Sequence, residues 1–240
     1  MREQDGRMID RLPLLALLVL ASLPAGAASP GTRNYSVTGF DRVRLDGPYK
    51  LDVKTGVAPF ARATGSPRAL DALSIRVDGR TLVVRGNSAA GGYPGEPAGP
   101  VTIEVGTHEL STAWINGAGG LMIDRIKGLS FDLSIQGPGM AHVAHSDVDQ
   151  LRVGISGAGS VRMAGKAAKM TATIRGTSSF DSQSMIVRDA VIGAEGPSIV
   201  RATVTNSAKV DAIGMAMVAL TGQPACTAKA RGSASITGCR

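Results

Sequence analysis

The sequence predicts an all-β chain wound into a parallel β-helix (β-solenoid) of about seven coils with an N-terminal β cap. Three observations carry this expectation. A phrase of the form apolar-x-Gly returns seven times between Ser111 and Gly238, at Gly117, Gly137, Gly157, Gly176, Gly196, Gly214 and Gly232, spaced by 20, 20, 19, 20, 18 and 18 residues. Apolar or small residues stand at fixed offsets on both sides of each glycine. A period near 20 with two or three strands per coil and no helical punctuation marks a β-solenoid.

Counting back from each glycine exposes the first strand. Two positions before it stand Ile115, Ile135, Ile155, Ile174, Ala194, Ala212 and Ala230; four before stand Ala113, Leu133, Val153, Ala172, Ile192, Val210 and Ala228. Six before stand Ser111, Phe131, Leu151, Met170, Ala190, Ala208 and Cys226. Between them lie mostly polar or small residues, among them Ser134, Gly154, Thr173, Gln136, Ser156, Arg175 and Glu195. Period two with one wet face is the pattern of a half-buried strand.

A second strand follows, with Leu121, Ala141, Val161, Phe180, Val200, Val218 and Ile236 four positions after the glycines. A looser column, Ile123, Val143, Met163, Ser182, Ala202, Leu220 and Gly238, stands two further on. The glycine therefore sits at a corner, where a tight turn needs the positive φ that glycine reaches without a Cβ penalty. No coil buries its apolar columns alone, so like stacks on like at roughly 4.8 Å per coil, and seven coils make a rod on the order of 30 Å. An antiparallel sandwich would give turn signals at roughly 8–12 residues without fixed columns and fits less well.

The run Ile115-Asn116-Gly117-Ala118-Gly119, the run Ile155-Ser156-Gly157-Ala158-Gly159-Ser160-Val161, the opening Tyr35-Ser36-Val37-Thr38-Gly39-Phe40-Asp41 and the ending Gly232-Ser233-Ala234-Ser235-Ile236 resemble the head GIN domain family. That family is described as a putative auto-transporter adhesin head of unknown function in bacterial envelope proteins. The resemblance spans roughly Asn34 to Cys239. It implies a right-handed parallel β-helix, an exported location and no established activity, and it brings no catalytic or binding residues with it. The pattern departs from the family in the fourth and sixth coils, where Thr177-Ser178 and Met215-Ala216 replace the second glycine.

Residues 1–28 read as a secretory signal peptide. Leu12 to Leu23 is an apolar run too short to span a bilayer, preceded by Arg2, Arg7 and Arg11 and followed by Pro24-Ala25-Gly26-Ala27-Ala28. Glu3, Asp5 and Asp10 dilute the charge of the leading region, and a start at Met8 gives a more usual shape. No cysteine follows the cleavage site to suggest a lipid anchor, and no later stretch predicts a transmembrane span. Retention as an amphipathic anchor is the alternative.

Residues 29–110 read as the N-terminal β cap and first strands. Alternating runs at Val43-Arg44-Leu45, Tyr49 to Val53, Leu73 to Val77 and Leu82-Val83-Val84 predict strands, with Asp78-Gly79 as a hairpin turn. Asn87 to Pro100 reads as a Pro/Gly-rich insertion with no strand signal, functional or merely flexible. Residues 111–240 hold the coils. A bare solenoid end invites other chains to pair with it, which leaves a homo-oligomer through the ends open. Cys226 and Cys239, the sole cysteines, both fall in the last coil of a chain expected in an oxidising compartment, so a disulfide closing that end is expected. The alternative for Cys226, on an inward column, is a plain buried thiol.

Catalytic chemistry is not legible. His142 and His145, with Asp147 and Asp149 nearby, have the look of a metal pair, but strand residues three apart face opposite ways, so solvent-facing corner residues are expected instead. Three histidines and no Gly-x-Ser-x-Gly elbow argue against a Ser/His/Asp hydrolase. The glycine runs at Gly117 and Gly157 open no helix and cradle no phosphate. A polysaccharide lyase or hydrolase would need stacked outward carboxylates, whereas Asp132, Glu195 and Asp211 stand singly in their columns. No cofactor, metal or catalytic residue is therefore assigned.

The net charge is +7, and residues 1–28 hold three basic and three acidic residues, so the balance persists in a mature chain of about 212 residues. In an envelope compartment that favours anionic polymers over nucleic acid, for which no motif is present. The expectation is an exported envelope module of structural or adhesion type, in the periplasm, outer envelope or medium, with a surface protein or polymer as partner. A binding module for anionic envelope polysaccharide is the alternative, and a lyase or hydrolase the less favoured one.

Overall fold

The structure is a computed structural model describing residues 31–87 and 99–240. The segment read as a signal peptide and all of the Asn87–Pro100 stretch except its ends lie outside the described residues. The chain begins with β1 (Gly31–Tyr35), β2 (Arg42–Asp46), β3 (Lys50–Thr55) and β4 (Phe60–Gly65), then a single-turn helix α1 (Pro67–Asp71). The hairpin β5 (Leu73–Asp78) and β6 (Thr81–Gly86) follows, then β7 (Val101–Thr107), β8 (Thr112–Asn116) and β9 (Gly120–Ile123). Five long strands come next: β10 (Ile126–Gly137), β11 (Met140–Gly157), β12 (Ser160–Gly176), β13 (Ser179–Glu195) and β14 (Ile199–Gly214). The end is β15 (Met217–Thr221), β16 (Ala225–Gly232) and β17 (Ser235–Thr237).

These elements stack as a parallel β-helix. One wall runs β6, β2, β8, the second halves of β10 to β14, then β16; a second runs β7, β3, β9, the first halves of β11 to β14, then β15 and β17. A short third wall joins them where the long strands bend, with Ser146 beside both Ile126 and Gly165. Seven glycines bound six intervals, and the parallel stack makes about six turns where about seven coils were expected.

The inward columns form the core. Ile115, Ile135, Ile155 and Ile174 are buried, as are Leu133, Val153, Ala172 and Ile192 beside them. Phe131 and Phe180, the largest buried side chains, fill the interior from opposite walls. All seven corner glycines have positive φ, from +74° at Gly232 to +119° at Gly157. An eighth joins them: Gly47, at φ +113°, packs under Gly117, whose Cβ would stand 3.8 Å from the Gly47 Cα.

The segment read as a cap contributes to the stack itself. β2 and β3 form a coil that lies between β6 and β7 on one side and β8 and β9 on the other. The predicted hairpin is present, with Asp78 opposite Thr81 and Gly79 at φ +60°. Closure of this end is antiparallel: β4 crosses β7, and β1 crosses β4. The helix is a local event, begun by Pro67 after Ser66, whose hydroxyl accepts from the Ala69 N–H at 3.2 Å.

The opposite end is open. β16 and β17 pair on one side only, and Ala228 and Ala230 are exposed where Val210 and Ala212 one coil above are buried. The Cys226–Cys239 disulfide ties the start of β16 to the residues after β17, with Cα atoms 5.5 Å apart.

Candidate functional site

The outer face of the first wall is built by the strict register of its strands. Its central column reads Arg44, Trp114, Ser134, Gly154, Thr173, Gly193, Asp211 and Lys229, one residue per strand. Below the half-buried Trp114 this column drops to small residues and forms a furrow. Two of its glycines have no conformational reason to be there. Neither has a left-handed φ; a Cβ on Gly154 would meet nothing nearer than the Ser134 Oγ at 4.0 Å, and on Gly193 nothing within 4 Å. Glycine inside a strand weakens it and commonly marks a place that another backbone or a ligand approaches closely.

Ion pairs between neighbouring coils line the edges of the furrow and reach into its lower end. Arg152 donates to Asp132 at 3.3 Å, Arg175 stands 3.5 Å from Glu195, and Arg231 contacts both oxygens of Asp211 at 3.1 Å. These pairs are largely exposed, so each contributes about 0–1 kcal/mol. Lys209 and Lys229, at the foot of the furrow, have no ion pair among the described residues. Beside them Asp189 accepts from Ser207 Oγ and Asn206 Nδ2, each at 2.7 Å, and from Arg188; these three donors hold its carboxyl down to about 2.

The second wall carries a groove of about 700 Å³. One of its columns reads Asp52, Met122, His142, Arg162, Asp181 and Arg201; the other reads Lys50, Gly120, Met140, Ser160 and Ser179. The small residues of the second column open the space, and Arg162 stands 3.8 Å from Asp181.

The structure separates the four residues suggestive of a metal pair. His142 lies within a strand, in this groove, rather than at a corner. His145 is exposed beyond the irregularity between Val143 and Ser146, and Asp147 meets Lys166 at 3.3 Å while Asp149 is exposed. Among the described residues no group of three or more His, Cys, Asp or Glu side chains is placed to hold a metal ion. Three features are not legible in the sequence taken coil by coil: Gly47, the furrow below Trp114, and Met122 beside His142. The first was hidden by the long interval to Gly117. The other two depend on stacking between coils.

Solved structures share this fold. A putative adhesin from Bacteroides fragilis superposes with a TM-score of 0.74 at 16% identity, covering 88% of this chain and 97% of its own. A putative lipid binding protein from Parabacteroides distasonis gives 0.66 at 17% identity, with coverage of 88% and 97%. A putative adhesin from Parabacteroides merdae gives 0.64 at 15% identity, with 88% and 96% covered. No curated protein matches the chain in sequence. Among the described residues, no helix is long and apolar enough to cross a membrane. Residues 39–224, which include the groove, the furrow as far as Asp211 and six of the seven expected corner glycines, match the family described as putative auto-transporter adhesin, head GIN domain, and the chain belongs to that family.

Proposed function

We propose that this chain is an exported, non-catalytic adhesion-type module of the cell envelope that holds an elongated anionic polysaccharide in the furrow below Trp114. The observation that carries it is the pair Gly154 and Gly193, which leave the floor of the furrow bare at a cost in strand stability and with no steric need. An indole at the head of the furrow gives a sugar ring a face to stack on, and Lys209 and Lys229 at its foot suit acidic groups. A long open surface also fits a polymer better than a small molecule, which binds in enclosed pockets.

The carboxylates do not favour cleavage. Asp52 and Asp181 of the second wall are four coils apart, about 19 Å at the strand spacing, and Glu104, the register partner of Asp52 on its other side, is engaged by Arg62. Acid and base in glycoside hydrolysis stand roughly 5–9.5 Å apart. Glu195 and Asp211 are on adjacent coils, but each is engaged by an arginine.

The test incubates the mature chain with acidic glycans, lipopolysaccharide and anionic lipid vesicles at low and high salt, while assaying for glycan cleavage. Binding to the glycans that weakens with salt and is lost in G154V/G193V is expected. Preferential binding to vesicles, or glycan turnover abolished by Glu195→Gln or Asp211→Asn, overturns the proposal.

A further inference from the structure

The methionines of the described residues divide into two sets. Met163, Met170 and Met185 lie on inward columns and are 0–1% exposed, filling the core as flexible apolar side chains do. Met122 and Met140 face outward on the second wall, 55% and 61% exposed, where they bury little apolar surface. Both line the groove that His142 also lines.

We propose that Met122, Met140 and His142 form a binding site for a soft monovalent metal ion, Cu(I). The register brings them together. Met122 and His142 are direct partners on neighbouring parallel strands, so their Cα atoms stand about 4.8 Å apart. Met140 precedes His142 by two residues on the same strand and faces the same way, about 6.6 Å along it. Gly120, the partner of Met140 on the coil above, has no side chain to keep Met140 from leaning toward Met122. Three long or planar side chains rooted in so small a triangle can converge on one ion.

The donor set selects the metal. Two neutral thioethers are soft ligands, which favour Cu(I), and imidazole is a borderline ligand that copper also accepts, whereas Mg(II) and Ca(II) take oxygen ligands. Zn(II) sites use thiolate, imidazole and carboxylate, and thioether is not among them. Asp52, the partner of Met122 on its far side, supplies a negative charge near the ion. Arg162, the partner of His142 on the other side, is drawn to Asp181 at 3.8 Å. Met215 and Met217 are also exposed, but no histidine shares their coils or the coils next to them. The site shares no residue with the furrow, so either proposal stands or falls without the other.

The test titrates the intact chain anaerobically with Cu(I) against a chromogenic competitor, with Ag(I) added in parallel to protein carrying ¹³C-methyl methionine. Binding of one Cu(I) per chain is expected, with Ag(I) shifting the Met122 and Met140 methyl signals and leaving those of Met215 and Met217 in place. M122L/M140L keeps the apolar bulk without the sulfur and should lose the binding; H142A should weaken it at least tenfold, while H145A should not. Absence of Cu(I) binding, undiminished binding by M122L/M140L, or Zn(II) bound as tightly as Cu(I) would overturn the assignment.

Discussion

Gly165 lies so close over Ser146 that a Cβ on it would stand 2.1 Å from the Ser146 carbonyl oxygen. Its φ of +116° adds a conformation that side-chain-bearing residues avoid. Both residues occupy the third wall, where the long strands bend. Gly165→Ala should destabilise the protein by about 2 kcal/mol or more, since it combines backbone strain with a contact that only a backbone shift can relieve. Chemical denaturation of the variant checks this. An unchanged midpoint would show that the bend is softer than its geometry.

Gly193→Ala should do the opposite. Its Cβ enters open space and its φ is not left-handed, so it should stabilise by roughly 0.5–1 kcal/mol. The furrow proposal adds that this same change should lower affinity for an acidic glycan. A gain in stability without any loss of binding would separate the glycine from function.

The inward columns give a graded prediction. Ile155→Ala should cost about 2–5 kcal/mol, as the side chain is buried and its neighbours Ile135 and Ile174 belong to adjacent coils. Ile155→Asp should unfold the domain by burying an unpaired charge. Ser156→Ala, one position away on the wet face, should be nearly silent in thermal unfolding. Equal losses at both positions would mean the register is wrong.

The disulfide closes a loop across 13 positions, and its reduction should remove about 3 kcal/mol on the chain-entropy account. Because each coil touches only its neighbours, the loss should be local. Hydrogen exchange should accelerate in β16 and β17 while β10 to β12 stay protected. Acceleration throughout the chain would show that the stack melts as one unit.

Asp189 predicts an acid dependence. Its pKa is held at about 2, below the ordinary 3.8, by Ser207, Asn206 and Arg188. A lowered folded-state pKa contributes stability that is complete above the unfolded value and is lost as pH falls toward the folded one. Wild type should therefore lose this contribution between about pH 4 and pH 2, and Asp189→Asn should lose less across the same window. Equal slopes for the two proteins, measured by denaturation at each pH, would discount those hydrogen bonds.

The coils were legible because each repeats the same demand: an inward apolar pair, a corner that only glycine turns cheaply, and a second inward pair. Gly47 met the same demand but fell outside the period, since residues 56–111 intervene before Gly117. In sequence, Asn87 to Pro100 reads as a Pro/Gly-rich loop that separates the cap from Val101. The strands on either side of it, β6 and β7, pair with β2 and β3, on the two walls that a glycine corner joins in the other coils. The outward chemistry was hardly legible at all. Met122 and His142 are 20 positions apart in the chain, as are Gln136 and Ser156, and nothing in either pair taken singly says which one matters.

The interleaved coil of β2 and β3 sets an order of assembly. Later coils each close on a neighbour about 20 residues away and can be added one after another. Arg42 must instead wait for Thr81 on one side and for Thr112, 70 positions on, at the other. Closing that longer loop costs about 1 kcal/mol more than closing one of 20 residues. Its reward comes only when both flanking layers arrive. A chain emerging from its N-terminus would thus hold its first coil with two open edges until residue 123 had followed, the interval in which a strand from another chain could take the vacant place.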